Sequence, residues 1–287
     1  MAINDVRLFG QLMQDPKFFI HKGNTVPHKV VLSVKTMSRY INSTDRNKIV
    51  YDEVVVMSKA LETIQSVAKE LRKNDIVYIK GMLCTADVTR KQVCGNCGET
   101  YEEDGFTCYV HPIKIVKFNS GLSEEDGNIL IQDNAEVSNE VILDGAICSD
   151  INYMEERHYA YYKLAVRRSF HILEDDAEKR TDYPAINTYY DQAKNDSIYA
   201  RRGTRMNIRG AIRVRSVTRT ITCPYCQTED TLDYRVLEVV ASNINYTANW
   251  QKPPEDEIDN EDRDEKENEE FNVEANDLPY DKRKSDS

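Results

Sequence analysis

The sequence lacks the features that would place the protein in a membrane or send it out of the cell. No stretch approaches the roughly 18 to 20 consecutive apolar residues that a spanning helix needs. The start, MAINDVRLFGQLM, has no basic segment followed by an apolar core, so we expect no signal peptide. A cytoplasmic location is the resulting expectation.

Catalytic motifs are missing as well. The chain has no Gly-rich phosphate loop of the Walker type, no nucleophile elbow, and no compact group of His, Asp and Glu. The five histidines are scattered, and only His111 has neighbours suited to metal binding. These absences predict a protein that is not an enzyme.

The charge is strongly acidic but unevenly distributed. Residues 253–287 hold 15 Asp and Glu against 5 Lys and Arg, a net charge of −10, out of −11 for the whole chain. Residues 1–252 therefore carry 34 acidic and 33 basic side chains, a net of −1. Residues 251–287 have too few apolar residues to offset the entropy of ordering, so we expect a disordered acidic tail.

A duplicated module is the main organisational feature. Asn4–Gly10 and Asn139–Gly145 share the pattern N-x-V-x-L-x-G. Three further features follow in both halves: a glycine, a Val-Thr-Arg triplet and a C-x-x-C pair. In the first half they are Gly81, Val88–Arg90 and Cys94/Cys97, and in the second half Gly210, Val217–Arg219 and Cys223/Cys226. All three are separated by the same offset of 129 residues. Such agreement predicts two copies of one fold.

The hydrophobic pattern of each copy predicts short strands and one helix. In the first copy the pattern predicts strands over Val6–Met13, Lys29–Thr36, Ile49–Met57, Asp75–Val93 and Thr107–Phe118, with a helix over Lys59–Leu71. In the second it predicts strands over Asn139–Cys148, Ala160–Phe170, Ala185–Tyr190, Met206–Thr222 and Asp233–Ile244, with a weak helix over Gln192–Arg202. A helix between the third and fourth of five strands is typical of the Greek-key OB barrel. The prediction is an all-β fold with two tandem OB-fold domains, 1–120 and 139–250, joined by a linker at 121–138.

Motifs of the second copy resemble the bacterial single-stranded DNA-binding protein family. Asn139–Gly145 resembles the family's opening strand, Tyr162–Phe170 its second strand of the type F-x-L-A-V-x-R-x-F, Tyr183–Ala193 its third, and Glu238–Ile244 its closing strand. In the first copy, Asn4–Pro16 is similar to the family's N-terminus. The family's strand-three tryptophan is absent, so Tyr189 or Tyr190 would take its place. The resemblance implies OB folds that bind single strands without much sequence preference in replication, recombination or repair. With two barrels per chain, it also implies a homodimer.

The strongest direct signal for nucleic acid is Ala200–Arg219, which holds seven arginines and no acid. Arg209, Arg213, Arg215 and Arg219 share parity, so a regular strand would place them on one face. Arginine binds phosphate and stacks on bases, whereas a solvated face balanced by acids from elsewhere is the alternative.

Seventeen tyrosines supply candidate stacking platforms, although a tyrosine packed in the core is individually more common. The residues that we predict to contact nucleic acid in the second copy are Tyr161, Lys163, Arg167, Arg168, Tyr189, Tyr190, Arg205, Arg209, Arg213, Arg215 and Arg219. Those in the first copy are Tyr51, Tyr78, Lys80 and Arg90.

Seven cysteines, an odd number with two C-x-x-C pairs, indicate reduced thiols or metal ligands rather than a disulfide framework. A structural zinc site needs four ligands. The favoured set is Cys94, Cys97, Cys108 and His111, with spacing C-x2-C-x10-C-x2-H. Two alternatives remain open: one site uniting Cys94, Cys97, Cys223 and Cys226, or Cys223/Cys226 pairs joined across a dimer.

The tail contains Leu278-Pro279-Tyr280 after its acidic run. This segment is similar to the acidic-hydrophobic tip with which the family recruits replication and repair proteins, although the chain continues for seven more residues. A solvating tail that competes with DNA for the arginines is the alternative. For the protein as a whole, the competing hypothesis is an OB-fold accessory subunit of a replication or transcription complex that binds mainly protein.

Overall fold

The computed structural model describes residues 3–39, 49–168, 170, 172 and 180–251. Within this part, thirteen strands and four α-helices are assigned. The strands of the first half are β1 (Asn4–Leu12), β2 (Lys17–Ile20), β3 (Pro27–Arg39), β4 (Ile49–Ser58), β5 (Ile76–Val93) and β6 (Thr100–Asn119). Those of the second half are β7 (Asn139–Ile147), β8 (Asn152–Met154), β9 (Tyr159–Arg167), β10 (Thr181–Asp182), β11 (Ala185–Tyr189), β12 (Arg205–Thr222) and β13 (Glu229–Ala248). The helices are α1 (Leu61–Glu70), α2 (Glu124–Asp133), α3 (Ala135–Ser138) and α4 (Tyr190–Tyr199).

Five strands in each half close on themselves. In barrel 1, β1 pairs with β3 and β5, and a parallel contact of β4 with β6 completes the ring. In barrel 2, β7 pairs with β9 and β12, and β11 runs parallel to β13. α1 and α4 lie between the third and fourth barrel strands, as the sequence pattern predicts. The predicted all-β fold with OB-type barrels is confirmed.

The repeated asparagine has a structural role in both halves. Asn4 accepts a hydrogen bond from the Leu83 backbone N–H at 2.8 Å and donates one to the Leu83 carbonyl at 2.9 Å. Asn139 makes the same two bonds with Ile212, both at 2.8 Å. Each side chain therefore satisfies a backbone donor and acceptor that the strand ladder leaves unpaired.

The repeated glycine marks a close approach of two strands. Gly81 and Gly210 each sit at a register shift in their hairpin. A Cβ added there would overlap the His111 carbonyl oxygen in barrel 1 and the Val240 carbonyl oxygen in barrel 2. Both positions exclude a side chain, which explains why glycine recurs at the same offset.

The barrels are joined by their first strands and by reciprocal buried aspartates. β1 pairs antiparallel with β7, with Val6 opposite Val141. Asp182 of barrel 2 accepts hydrogen bonds from the Thr85 backbone N–H at 2.7 Å and the Thr85 hydroxyl at 3.1 Å. Asp52 of barrel 1 accepts from the Val214 backbone N–H at 2.9 Å. Each barrel thus binds the backbone of the other barrel's fourth strand, at Thr85 of β5 and Val214 of β12.

Replacing Asp182 with alanine is expected to lower the free energy of unfolding by about 3–5 kcal/mol, because it removes a buried carboxylate that pairs with the Arg168 guanidinium and accepts two hydrogen bonds from Thr85. The Asp182 side chain is 0% exposed and that of Arg168 only 5%, and their closest atoms are 2.8 Å apart. Urea denaturation measures the change. A double variant, Asp182→Asn with Arg168→Met, removes both charges and should lose less than Asp182→Ala. A single-variant loss below about 1 kcal/mol would contradict the assignment.

Two long hairpins project from the barrels as arms. Arm 1 is Ala86–Thr107 of β5 and β6, and arm 2 is Arg215–Val236 of β12 and β13. The arms contact each other along their length: the Tyr234 hydroxyl donates to the Glu103 carboxylate at 2.6 Å. The C-x-x-C pairs lie at the two tips, where the sequence places them.

The segment predicted as a linker, 121–138, contains α2 and α3. Ser123 caps α2 by accepting a hydrogen bond from the Asp126 backbone N–H, and Ile131 is fully buried. Glu124 pairs with Lys35 of β3 at 2.7 Å. The polar composition therefore comes from a capped helix that packs on barrel 1. In the described ranges no helix is long and apolar enough to cross a bilayer. The tail prediction, including Leu278, Pro279 and Tyr280, lies outside the described residues.

Candidate nucleic-acid interface

Three tyrosines form one surface on the second and third strands of barrel 2, which we call the tyrosine face. Tyr159 and Tyr161 lie on β9, and Tyr189 lies opposite Tyr159 on β11. Ring centroids are 5.2 Å apart for Tyr159 and Tyr189 and 6.0 Å for Tyr159 and Tyr161. Tyr161 is 39% exposed, and the other two are half-buried. Period-two alternation along the strands puts the three rings on the outside of the barrel.

The central ring of the tyrosine face, Tyr159, is uncharged at neutral pH. Burial, followed by the Glu238 carboxylate and Tyr189, raises the pKa of Tyr159 to about 12. Its hydroxyl donates a hydrogen bond to the Asn187 side-chain oxygen at 2.9 Å, which fixes the ring. The central ring therefore carries no phenolate charge that would repel a phosphate.

Further rings and two cations border the tyrosine face. Lys163 and Arg167 follow Tyr161 at the same parity on β9, and both are exposed. The Lys163 ammonium lies 5.4 Å from the ring of Phe106, which reaches over from arm 1. Tyr190, 51% exposed, stacks near His158 at 6.1 Å. The structure thus keeps Tyr161, Lys163, Arg167, Tyr189 and Tyr190 of the predicted residues together.

The sequence prediction missed Tyr159 and Phe106. Tyr159 could have been found from its parity, because it lies two residues from Tyr161 on the same strand. Phe106 had no such signal, since it belongs to barrel 1 and meets Lys163 only through the packing of the two barrels.

The arginine strand β12 presents its arginines on one face, as predicted, but their charges are balanced. Carboxylates from neighbouring strands pair with four of them: Arg205 with Asp144 at 3.7 Å, Arg209 with Glu140 at 2.6 Å, Arg213 with Asp52 at 2.8 Å, and Arg215 with Glu238 at 2.7 Å. For these four arginines the structure agrees with the alternative of a face balanced by acids from elsewhere in the sequence. The segment Ala200–Arg219 itself contains no acid, and the four carboxylates that pair with its arginines lie on β4, β7 and β13.

Arg168 and the two Val-Thr-Arg arginines have structural partners. Arg168 forms an ion pair with Asp182 at 2.8 Å and its side chain is only 5% exposed, which leaves little of the guanidinium available to nucleic acid. Arg90 and Arg219 both lie over the ring of Tyr234, at 4.8 and 5.8 Å from its centroid. The Arg90 contact joins arm 1 to arm 2, whereas the Arg219 contact lies within arm 2.

The candidates in barrel 1 do not come together. Tyr51 accepts a hydrogen bond from the Gln132 amide at 2.7 Å and lies under the Lys35 ammonium at 4.8 Å. Tyr78 is half-buried on β5, and Lys80 pairs with Asp5 at 3.8 Å. None of these side chains joins the tyrosine face.

The three positions of barrel 1 that correspond to the tyrosine face hold no aromatic residue. The paired residues Lys163 and Ala185 of barrel 2 correspond to the paired residues Ser33 and Val55 of barrel 1. The second and third strands of the two barrels are therefore related by an offset of 130 residues. At that offset Tyr159, Tyr161 and Tyr189 correspond to Lys29, Val31 and Lys59. The two barrels share a fold but differ in the chemistry of this surface.

The four cysteines of the two arm tips form one cluster. The Cys94 and Cys226 sulfurs are 3.6 Å apart, those of Cys97 and Cys223 are 3.8 Å apart, and all four lie within 4.8 Å of one another. Tetrahedral zinc with Zn–S bonds of about 2.3 Å implies sulfur separations of about 3.8 Å, so the donor set fits.

The favoured ligand set of Cys94, Cys97, Cys108 and His111 is wrong. Cys108 pairs with Thr85 and His111 with Met82, whereas Cys94 follows Val93 at the arm tip. Eight residues of strand separate Thr85 from Val93, a distance of about 27 Å. The alternative that unites Cys94, Cys97, Cys223 and Cys226 has the geometry of a metal site.

The two closed barrels and the tyrosine face together define an OB-type β-barrel protein that carries exposed aromatic rings on the outer surface of one barrel. Comparison with solved structures agrees on the fold. A deletion mutant of the single-stranded DNA-binding protein from Thermus aquaticus is 16% identical, with a TM-score of 0.52 over 88% of this chain and 98% of that one. The wild-type protein from Thermus aquaticus is 15% identical, with a TM-score of 0.50 over 88% and 96%.

Residues 138–247 match the single-strand binding protein family. The matched segment is barrel 2, and the match agrees with the resemblance noted in its strand motifs. A search of curated proteins finds no match.

Proposed function

We propose that the protein binds single-stranded DNA without sequence preference and protects it during replication, recombination or repair. The observation that carries the proposal is the tyrosine face, three adjacent rings bordered by Lys163 and Arg167 on a barrel of the single-strand binding family. Rings stack on any base and cations bind phosphates, so neither contact depends on sequence. The protein acts by binding and not by catalysis, in the cytoplasm.

Fluorescence polarisation with labelled oligo-dT and a duplex of equal length tests this function. We expect the single strand to bind at least about 100-fold more tightly at 0.15 M salt. The affinity should depend weakly on salt, because four arginines of β12 are already paired: two to four phosphate contacts give a slope of roughly −1.5 to −3 in log K against log salt. Equal affinity for duplex and single strand would overturn the proposal.

The cations beside the tyrosine face should contribute more than those of β12. Lys163→Ala is expected to weaken single-strand binding by about three- to tenfold, because this exposed ammonium borders the rings. Arg205→Ala, an equally exposed cation of the same barrel, should change it by less than about twofold, because Arg205 already pairs with Asp144. The same titration measures both variants, and a larger effect of Arg205→Ala would contradict this assignment.

A protein-binding accessory subunit is the second candidate function. The paired arginines of β12 are the observation behind this candidate, because a surface of alternating cations and carboxylates can also bind a protein with complementary charges. That function predicts equally weak binding of single strands and duplexes in the titration above. Recruitment of replication or repair proteins through Leu278, Pro279 and Tyr280 belongs to the proposal as well, and deleting residues 276–287 tests it.

We further propose that Cys94, Cys97, Cys223 and Cys226 hold one structural zinc ion. The ion would join the tips of arms that belong to different barrels, and so fix the arms relative to each other. The sulfur separations, and the fact that all four sulfurs lie within 4.8 Å of one another, support this assignment.

A homodimer is also part of the proposal. Strands β13, β12, β7, β1, β5 and β6 form a continuous sheet across both barrels, and Val116 and Phe118 on β6 are 38% and 61% exposed. Sedimentation equilibrium should give twice the chain mass of 33.2 kDa. A mass of one chain at micromolar concentration would exclude the dimer.

A further inference from the structure

A cavity of about 190 Å³ lies where barrel 2 meets barrel 1 and the linker. Its apolar floor includes Ala211 and Val240, from the outer face of β12 and β13, and Met37 of barrel 1 closes one side. Arg209 on its rim is 65% exposed, so the cavity opens to solvent.

The cavity wall places hydrogen-bond donors beside acceptors. Arg209 and Arg213 contribute guanidinium groups, and Glu136 and Glu140 contribute carboxylates. The Arg209–Glu140 pair at 2.6 Å holds one donor group next to one acceptor group at the rim. Such a wall matches the edge of a nucleobase, on which carbonyl or ring-nitrogen acceptors lie beside amino or imino donors.

The cavity is continuous with the tyrosine face. Tyr189 is both a member of that face and part of the cavity lining. A base that follows one stacked on Tyr189 would therefore lie next to the cavity opening. The geometry therefore connects a stacking surface with a recess, rather than presenting two separate sites.

We propose that this cavity receives one nucleobase of the bound single strand, with its polar edge facing the Arg209–Glu140 pair and its ring above the floor of Ala211 and Val240. This inference rests on the proposed single-strand binding. The size supports a single base, because drug-sized ligands need roughly 300–1,000 Å³. The apolar floor faces the flat ring system, while the charged rim faces its polar edge.

Photocrosslinking with oligo-dT that carries 4-thiothymidine at every position tests the proposal on the full chain. Irradiation joins the modified base to side chains in direct contact, and mass spectrometry identifies the peptides. We expect crosslinks in two groups, one from the tyrosine face and one from residues 209–213 or 240–242. Ala211→Leu fills the cavity floor and should abolish the second group, keep the first, and weaken binding by about tenfold, the loss of one well-held base.

Ala146→Leu is the matched control, since Ala146 is a half-buried, outward-facing alanine of the same barrel that does not line the cavity. This variant should retain both groups of crosslinks and the wild-type affinity. Crosslinks from the tyrosine face alone in the wild type would overturn the cavity proposal and leave single-strand binding intact. Cavity crosslinks that persist in Ala211→Leu would also overturn it. The absence of both crosslinks and binding would instead reject the proposed function.

Discussion

Replacing Tyr159, Tyr161 and Tyr189 together with leucine should lower the affinity for single-stranded DNA by at least about 100-fold. Each base stacked on an aromatic side chain contributes roughly 1–3 kcal/mol, and three rings at the lower value already amount to about 3 kcal/mol. Leucine keeps the outer surface apolar but offers no flat face to a base. Polarisation with labelled oligo-dT at 0.15 M salt measures the loss.

The control is the double variant Tyr51→Leu and Tyr78→Leu in barrel 1. These two tyrosines were predicted to stack on bases, but they lie apart from the tyrosine face, and the Tyr51 hydroxyl is held by Gln132. We expect a change in affinity of less than about threefold. Circular dichroism melts establish that both variants fold. If the double variant lost as much affinity as the triple variant, binding would not be localised on barrel 2.

Local patterns predicted most of the fold, because strands and hairpin tips depend on residues close together in sequence. The constant offset of 129 residues aligned β5 with β12 and placed both C-x-x-C pairs after strand ends. The short strands β2 and β8 were missed, since four and three residues carry too little periodicity. The helix α2 was read as linker because its apolar side is narrow.

The charge balance of the candidate site could not be predicted in the same way. Arg213 is neutralised by Asp52, a residue 161 positions earlier in the chain (213 minus 52) and in the other barrel. A composition count over Ala200–Arg219 cannot include such a partner. The same reasoning explains the wrong zinc ligands: spacing favoured a local set, whereas the pairing of β1 with β7 brings two distant arms side by side.

Removing the zinc ligands should have the largest effect on the arms. The purified wild-type protein is expected to contain one zinc per chain, and Cys226→Ser should contain less than about 0.1. Structural zinc contributes about 10–16 kcal/mol in small domains that fold only around the metal. Here the barrels have their own cores, so we expect the arm tips to open while the barrels remain folded. Hydrogen exchange at 94–101 and 223–229 should accelerate by at least about 100-fold, with β1 and β7 unchanged.

Cys108→Ser and Cys148→Ser separate this site from the alternatives. Neither cysteine belongs to the cluster, so both variants should retain one zinc and slow exchange at the arm tips. Loss of zinc in Cys108→Ser but not in Cys223→Ser would restore the local ligand set in arm 1. Zinc that is bound only by dimers and shared by two chains would support pairing across a dimer. A single ion per monomer, lost equally from Cys94→Ser and Cys226→Ser, requires ligands from both arms of one chain, because neither C-x-x-C pair alone supplies the four ligands of a closed site.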